Sequence, residues 1–328
     1  MNIIQKYLKK YSKKLDKSKI QVYNVAVIYL YKKENIMKRI ISLALTLVVL
    51  VGCFALISCK GNKAEYVAVD AADLLVEDFG IAVTKGNTAL MTEVNKVVDA
   101  WVKDGTMQKY VDYYTDYAKF TEGEGEEPDA NGLKTTWDFG SATEVITVYT
   151  ESGFAPFEFV AGGKVIGVDI AIMSQVAVNM GKKIEIKDIV FDTIPLSVQS
   201  ATGDAVGAAG MTINEDRLEM VDFSNVYYSS TLVVVSNKDK SYSSVKDLAG
   251  LKVGVQEGTS GDLVISAATT AEGHTYETDD GAVVVKAEGV TVSRYKQYAL
   301  ALADLKAGRI DAILMDKLPA QTMLAVAD

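Results

Sequence analysis

The sequence is poor in the side chains on which redox and metal chemistry depend. Its 328 residues include two cysteines and one histidine. Cys53 and Cys59 lie in or directly after an apolar N-terminal run, so the rest of the chain can form neither a disulfide nor a thiolate metal cluster. His274 lies in the polar stretch 270–280 without a histidine or cysteine partner, which indicates a solvated loop residue. We therefore expect no metal site, no cofactor and no histidine-based triad.

Positive charge is scarce beyond the N-terminus. Residues 59–328 carry 23 Lys and Arg against 41 Asp and Glu, a net charge of −18, whereas residues 1–58 carry 11 against 2. Such a body repels the phosphates of nucleic acids, and no basic stripe interleaved with aromatic residues occurs in it. These features exclude nucleic-acid binding. At this length and 49% hydrophobic residues, the chain can build two lobes of ordinary domain size.

Residues 37–58 have the pattern of an export signal. Met-Lys-Arg is followed by the apolar run Ile40 to Ile57 and by a small residue, Ser58. The run Leu56-Ile57-Ser58-Cys59 resembles a bacterial lipobox, in which the cysteine is acylated and becomes the mature N-terminus. We therefore predict a signal peptide over 37–58 and lipidation of Cys59, which would tether the body to the membrane on the outside of the cell.

Other interpretations of the N-terminus remain open. Cys53 also lies in a lipobox-like run, but polar sequence begins only after Cys59. An uncleaved transmembrane anchor is the alternative to a lipid anchor, because the apolar run is long enough to span a bilayer. Residues 1–36 are Lys-rich, and we predict that they are a non-native extension, with Met37 as the true start.

The body alternates between apolar strands and helices. The predicted strands are Glu65–Val69, Phe79–Val83, Val145–Tyr149, Lys183–Ile189, Ala205–Ala209, Leu251–Val255 and Ile310–Leu314. The predicted helices are Thr88–Val102, Ile170–Met180, Pro195–Ser200, Tyr298–Lys306 and Ala320–Ala327. This alternation predicts an α/β fold with parallel sheets covered on both faces, and in such sheets ligands bind beyond the carboxyl ends of the strands.

Seven motifs follow one another in the body. They are 150–159 (TESGFAPFEF), 167–169 (GVD), 191–195 (FDTIP), 210–217 (GMTINEDR), 222–228 (DFSNVYY), 254–259 (GVQEGT) and 311–316 (DAILMD). In this order and spacing they resemble the family 3 extracellular solute-binding proteins, which serve polar amino acid ABC importers. The resemblance implies a type II periplasmic-binding-protein fold, with two parallel-sheet lobes joined by two hinge crossovers near 78–81 and 227–233.

The order of the elements departs from that family. Residues 77–83 and the helix after them resemble the family's last quarter, yet they precede the strand at Val145, and an acidic, Gly-rich stretch joins the two parts. We predict a circularly permuted chain; the alternatives are a truncated gene model and a dimer that exchanges the N-terminal block. The predicted parts are 59–79 (tether and strand of lobe 2), 80–118 (C-terminal part of lobe 1), 119–143 (linker), 144–230 (N-terminal part of lobe 1) and 231–328 (lobe 2).

The resemblance also assigns residues to a ligand. Arg217, by its planar fork, would anchor an α-carboxylate, and Asp316 would take the α-ammonium. Phe154 and Phe191 would enclose the aliphatic part, and Glu151 would pair with a side-chain amide or cation. The remaining expected contacts are Gly210, Thr212, Thr259 and Ser260. Each could instead be structural: Arg217 a surface arginine, the threonines ordinary helix caps, and the aromatic residues part of the core.

The sequence thus predicts a receptor rather than an enzyme. Its expected partners are a free amino acid, polar or basic rather than acidic, an ABC importer permease, and the membrane through Cys59, with a monomer favoured over a swapped dimer. A dehydratase of the same fold is the first alternative, with Glu151 or Asp316 as the general acid. A ligand-sensing module for a signalling partner is the second.

Overall fold

A computed structural model describes residues 66–71, 76–278 and 281–325. The predicted extension 1–36, the signal peptide and Cys59 lie outside these ranges. Sixteen strands occur in the described part of the chain: β1 (Tyr66–Asp70), β2 (Val76–Phe79), β3 (Ala82–Thr84), β4 (Val145–Thr150), β5 (Gly153–Phe154), β6 (Glu158–Ala161), β7 (Lys164–Ile166), β8 (Lys183–Asp188), β9 (Ala205–Gly207), β10 (Val221–Phe223), β11 (Tyr228–Asn237), β12 (Lys252–Gln256), β13 (His274–Thr278), β14 (Gly281–Val285), β15 (Thr291–Tyr295) and β16 (Ala312–Asp316). The helices there are α1 (Thr88–Lys103), α2 (Thr106–Thr121), α3 (Val168–Asn179), α4 (Ile194–Ser200), α5 (Glu215–Met220), α6 (Ser260–Ala268), α7 (Tyr298–Lys306) and α8 (Lys317–Ala325).

Lobe 1 is built on a five-stranded sheet in the order β10-β3-β9-β4-β8. β4 is parallel to β8 and β9, and β3 runs antiparallel to β9 and β10. Alternation explains β4, where Ile146 and Val148 are buried and the residues between them are partly exposed. A separate three-stranded sheet, β5-β6-β7, follows β4 in the chain. The carboxyl ends of β4, β8 and β9 form one edge of lobe 1.

Helices α1 and α2 belong to lobe 1 although they precede β4 in the chain. Leu90, Val94, Val97 and Val98 form the buried face of α1, a spacing that places them on one stripe. The side chain of Asn87 caps the helix by accepting from the backbone N–H of Leu90. Gly105 separates the two helices: this residue has φ of +79°, and α2 begins after it.

Lobe 2 is built on a sheet in the order β1-β11-β16-β12-β15, with β2 also paired to β11. β12 is parallel to β15 and β16, whereas β11 runs antiparallel to β16 and β1. The carboxyl ends of β12 and β16 lead directly into α6 and α8. The α/β fold with parallel strands in both sheets is confirmed.

Two strands connect the lobes. β11 pairs with β2 through Tyr228–Thr231 and with β16 through Leu232–Ser236. β2 is followed at once by β3 of lobe 1, and β10 of lobe 1 precedes β11, so the chain crosses between the lobes at these two antiparallel strands. The predicted crossovers at 78–81 and 227–233 coincide with them.

Several sequence predictions need correction. The predicted strand Phe79–Val83 is two strands separated by Gly80 and Ile81, because the chain changes sheets there. His274 does not lie in a loop: it begins β13, which pairs with β14. The last predicted helix begins earlier, at Lys317.

The segment predicted as a linker over 119–143 is not a free coil. α2 extends to Thr121, and the residues after it pack against the largest hydrophobic core through Leu133, Trp137 and Phe139. The backbone carbonyl of Lys134 accepts a hydrogen bond of 2.8 Å from the Tyr110 hydroxyl. Three apolar side chains within an acidic stretch explain why a charge-based interpretation missed this packing.

Candidate functional site

The loops at the facing carboxyl ends of the strands enclose a cavity between the lobes. Its empty volume, including space that is open to solvent, is about 290 Å³, and its walls are Glu151, Phe154, Phe191, Ala209, Gly210, Thr212, Arg217, Gln256, Thr259, Ser260 and Asp316. Charged, hydroxyl and aromatic side chains from both lobes thus meet in one place.

Arg217 is a buried cation at one end of the cavity. It lies in α5, where Asn214 caps the helix by accepting from the Arg217 N–H, and it is 5% exposed. Nη1 donates to the carbonyl of Thr212 at 2.6 Å and Nη2 to the carbonyl of Gly258 at 3.0 Å. Burial lowers the pKa of Arg217 to about 10, so the guanidinium remains charged at neutral pH. Three further N–H donors of the fork are available for an anion.

A chain of hydroxyl groups runs beside Arg217. Ser260 Oγ donates to Thr212 Oγ1 at 3.0 Å, and Thr212 Oγ1 donates to Glu77 Oε2 at 3.2 Å. Thr259 caps α6 by accepting from the Asp262 N–H and donates to the carbonyl of Gln256 at 2.7 Å. The amino end of α6 therefore faces the cavity, where its backbone N–H groups favour negative charge.

Asp316 ends β16 and is 5% exposed. Its Oδ1 atom is buried without a hydrogen-bond partner in the described part of the chain. Burial and the neighbouring Glu77 carboxyl raise the pKa of Asp316 well above its usual range. Burial likewise raises the pKa of Glu77, which is 6% exposed. An unpartnered carboxyl oxygen in a dry cavity is a strong site for a cation.

Glu151 is a buried acid beside the first residues of β5. Gln256 Nε2 donates to its Oε2 at 2.9 Å and Gln297 Nε2 to its Oε1 at 2.7 Å. Both partners are neutral amides, and burial raises the pKa of Glu151. The glycine at position 153 is explained by this arrangement, because a Cβ there would lie 3.0 Å from Glu151 Oε1. Glu151 thus keeps two acceptor oxygens at the cavity wall.

The two phenylalanines have different neighbours. The Phe154 ring lies 6.2 Å from the Tyr298 ring of lobe 2, at an interplanar angle of 28°. The Phe191 ring lies 5.3 Å from the Arg217 guanidinium carbon, which is a cation–π contact. Phe191 therefore fixes the plane of the guanidinium in addition to lining the cavity.

Gly210 forms the floor beside Phe154. Its φ is +54°, and a Cβ there would lie 2.6 Å from the Phe154 ring, so only glycine fits. The buried Asp169 carboxylate accepts from the Gly210 N–H at 3.0 Å and from the Tyr227 hydroxyl at 2.6 Å. Burial raises the pKa of Asp169 to about 7. This acid holds the floor of the cavity to the start of the β11 crossover.

The lobes contact each other directly across the cavity. The hydrogen bonds from Arg217 to Gly258, from Ser260 to Thr212, and from the two glutamines to Glu151 all join lobe 1 to lobe 2. At the rim, Lys296 Nζ lies 3.7 Å from Asp192 Oδ1. The arrangement is a closed cleft.

The sequence of this chain is similar to those of a known family of proteins. A model of the family described as bacterial extracellular solute-binding proteins, family 3, matches residues 146–308. The arginine-binding extracellular protein ArtP of Bacillus subtilis is 35% identical over 119 residues, which are 36% of this chain and 46% of that protein. ABC transporter arginine-binding protein 1 of Escherichia coli is 31% identical over 186 residues, 56% of this chain and 68% of that protein. The chain belongs to this family.

One solved structure is similar in sequence to this chain. The arginine-bound form of truncated ArgBP from T. maritima is 32% identical and covers 55% of this chain and 77% of its own, with a TM-score of 0.47. The match to the family ends at residue 308, so it contains eight of the nine predicted ligand residues and omits Asp316. It also omits β1 to α2.

The nine predicted ligand residues of this family 3 solute-binding protein all line the cavity between the lobes. Sequence reasoning missed Gln256, which lies inside the motif 254–259 and could have been found there. It also missed Glu77 and Gln297, which act through Asp316, Thr212 and Glu151. Glu77 begins the run 77–83 that resembles the family's last quarter, but that run does not assign it to the ligand site, and Gln297 stands in no distinctive pattern. The crossing of β2 and the turn after β15 bring these two residues to the site.

Two classes of feature were not found in the described ranges. No helix there is long and apolar enough to cross a membrane. No group of three or more His, Cys, Asp or Glu side chains there is arranged to hold a metal ion.

Proposed function

We propose that this chain is the extracytoplasmic substrate-binding component of an ABC importer and that it binds a free amino acid with a cationic side chain. The observation that carries the proposal is the placement of charge in the cavity. Arg217 supplies a fork for the α-carboxylate, and Asp316 supplies an unpartnered oxygen for the α-ammonium. Both ligand charges need such partners, because an unpaired buried charge costs several kcal/mol.

The proposed side-chain preference depends on Glu151. Its carboxylate is buried, and the hydrogen bonds that reach it come from neutral amides. A guanidinium or ammonium group on the ligand would neutralise it, whereas an acidic side chain would be repelled. The two relatives from Bacillus subtilis and Escherichia coli are named as arginine-binding proteins, which supports this preference.

The proposed role is binding without covalent chemistry. In this proposal Arg217, Asp316 and Glu151 are charge partners of the ligand, and the closed cleft excludes water around it. Closure presents one rigid surface made from both lobes to the importer permease.

We further propose a lipid anchor at Cys59, removal of residues 37–58, and a permuted order of the chain. The family match begins at residue 146, and β3 of the preceding block lies between β9 and β10 of lobe 1, which support the permutation. Because this block packs on the same chain, we favour a monomer over a swapped dimer.

A thermal-shift panel with the twenty amino acids tests the function. L-Arginine or L-lysine at 100 times its dissociation constant should add roughly 2.7 kcal/mol of stability. L-Glutamate should add none, because its side chain would meet Glu151. Stabilisation by no amino acid would contradict the proposal.

A further inference from the structure

Glu77 belongs to the hinge strand β2, yet it reaches the ligand site. It pairs opposite Ser230 of β11, and Asp316 pairs opposite Leu232 of the same strand. The backbone pairing therefore places both acids against the segment 230–232 of β11, and their carboxyl groups lie close enough to share a hydrogen bond. Both are more than nine-tenths buried. Glu77 does not line the cavity, so it can act on a ligand only through its neighbours.

A hydrogen bond between two carboxyl groups requires a proton on one of them. Glu77 Oε2 accepts from the Thr212 hydroxyl at 3.2 Å, which favours a charged Glu77. Ser260 also donates to Glu77, whereas Asp316 has one such donor, Ser230, and its Oδ1 atom has none in the described part of the chain. Because Glu77 has more donors, Asp316 is the proton donor of the pair and Glu77 the acceptor. Two charged carboxylates in contact inside a dry cleft would repel each other strongly, as in other acid pairs that share one proton.

The charged and titratable groups around the pair do not remove the need for that proton. They are Arg217, Glu158, Tyr227, Tyr228 and Tyr298. Burial raises the pKa of each of these tyrosines, so all three are neutral at neutral pH. Burial also raises the pKa of Glu158 and favours its neutral form. Arg217 neutralises one negative charge of the pair, and the shared proton neutralises the second.

We infer that Glu77 and Asp316 together form the ammonium site, and that the pair holds one shared proton which leaves for solvent when the ligand's α-ammonium binds. The inference rests on the proposed function. On binding, an ammonium N–H donates to Asp316, the carboxyl O–H bond of the pair breaks, and water or buffer accepts the proton. One positive charge replaces another, so the net charge of the site near Asp316 stays constant.

Glu77 is thus a positioning residue that makes affinity depend on pH. Below the pKa of the free pair, each bound ligand must displace a proton, so affinity rises as pH rises towards that pKa. Without Glu77, burial alone would raise the pKa of Asp316, so the dependence of affinity on pH should weaken.

Titration calorimetry of the full chain with L-arginine at mildly acidic pH tests the inference. Measurements in two buffers of different ionisation enthalpy give the number of protons released per ligand. The wild-type protein should release about one proton from the pair, and Glu77→Gln should release clearly less, because one of the two causes that raise the pKa of Asp316 is removed. Glu158→Gln is the matched control, because this buried acid lies outside the cavity wall; its proton release should equal that of the wild type.

Glu151 is a second buried acid that a cationic ligand contacts, so Glu151→Gln is titrated in parallel. The Glu151→Gln variant should bind L-arginine more weakly but should still release the proton of the pair. Loss of proton release in this variant alone would overturn the inference. Equal release in the wild type and Glu77→Gln would overturn it too, as would binding without release. Failure of every amino acid to bind would overturn the proposed function as well.

Infrared difference spectroscopy of the wild type covers the case in which Glu77→Gln does not fold. Adding L-arginine should remove the carbonyl band of a protonated carboxylic acid. A spectrum in which every protonated carboxyl band survives ligand addition would contradict the inference.

Discussion

At the scale of residues, the site is an arrangement of buried charges whose partners are mostly neutral. Arg217 is held by two backbone carbonyls and an aromatic ring, and Glu151 by two glutamine amides. Arg217 and Glu151 could be predicted from the sequence because their motifs are contiguous. Glu77 and Gln297 could not, because their partners are 135 and 146 residues away in the chain.

Replacing Arg217 tests the carboxylate anchor. Arg217→Ala should weaken amino acid binding by about 2–5 kcal/mol, because the ligand carboxylate would be left buried without its charge partner. Titration calorimetry measures the loss. Arg309→Ala is the control, since Arg309 is an exposed arginine paired with Asp304. Equal affinities for both variants would contradict the proposed contact between Arg217 and the ligand carboxylate.

Glu151 should set selectivity rather than overall affinity. Glu151→Gln should weaken L-arginine binding by about 1.5–3 kcal/mol, the usual strength of a hydrogen bond to a charged group, and should affect L-glutamine less. Competition binding with both amino acids gives the ratio. Glu185→Gln, at an exposed acid paired with Lys187, should leave the ratio unchanged. A ratio unaffected by the change at 151 would rule out this role.

Asp169 should make stability depend on pH. Its pKa is about 7 in the folded protein and about 3.9 in an unfolded chain, so between these values the folded protein binds the proton more tightly. The free energy of unfolding should therefore fall as pH rises from about 4 to 7. Asp169→Asn should make this slope shallower by up to about 1.4 kcal/mol per pH unit. Denaturant unfolding at several pH values measures it, and an identical slope in both proteins would refute the prediction.

At the scale of elements, hydrophobic periodicity predicted about half of the strands and most of the helices, with ends shifted by up to three residues. It missed the longest strand, β11, and helix α6. The pattern at Thr88 gives α1 almost in full. Helix α2 was not predicted, although Met107, Tyr110, Val111, Tyr114 and Ala118 have helical spacing. The sheet β5-β6-β7 was missed because its strands are short, and β13 was missed because its sequence is polar.

Gly258, in the turn between β12 and α6, lies where the two lobes approach each other closely around Asp192. Its φ is +78°, and a Cβ there would lie 2.8 Å from the Cβ of Asp192 in the other lobe. Gly258→Ala should therefore oppose closure by roughly 1–3 kcal/mol and weaken ligand binding accordingly. Calorimetric titration of both this variant and its control measures the effect.

The control for that prediction is Gly86→Ala. Gly86 has φ of +76° with no atom within 4 Å of the added Cβ, so it carries the same backbone strain without the contact between lobes. Both variants should lose about 1–2 kcal/mol of stability from the left-handed conformation. Only the change at 258 should reduce affinity; a similar affinity loss in both would show that the contact does not matter.

At the scale of the whole molecule, the chain crosses twice between two parallel-sheet lobes and places a charged cavity between them. The order of its elements makes the N-terminal block contribute β1 to lobe 2 and β3, α1 and α2 to lobe 1. Length and composition left room for two lobes, the family resemblance predicted them, and the motifs predicted the cavity wall. The packing of residues 122–144 depends on Leu133, Trp137 and Phe139, which follow no periodic pattern in the sequence.

The cavity is proposed to bind a cationic amino acid by its two head-group charges and its side chain. Titration calorimetry of the full chain with L-arginine, L-glutamine and L-glutamate measures this selectivity. We expect saturable binding of one L-arginine, weaker binding of L-glutamine and no heat with L-glutamate. Tighter binding of L-glutamate than of L-arginine, or no binding of any of the three, would contradict it.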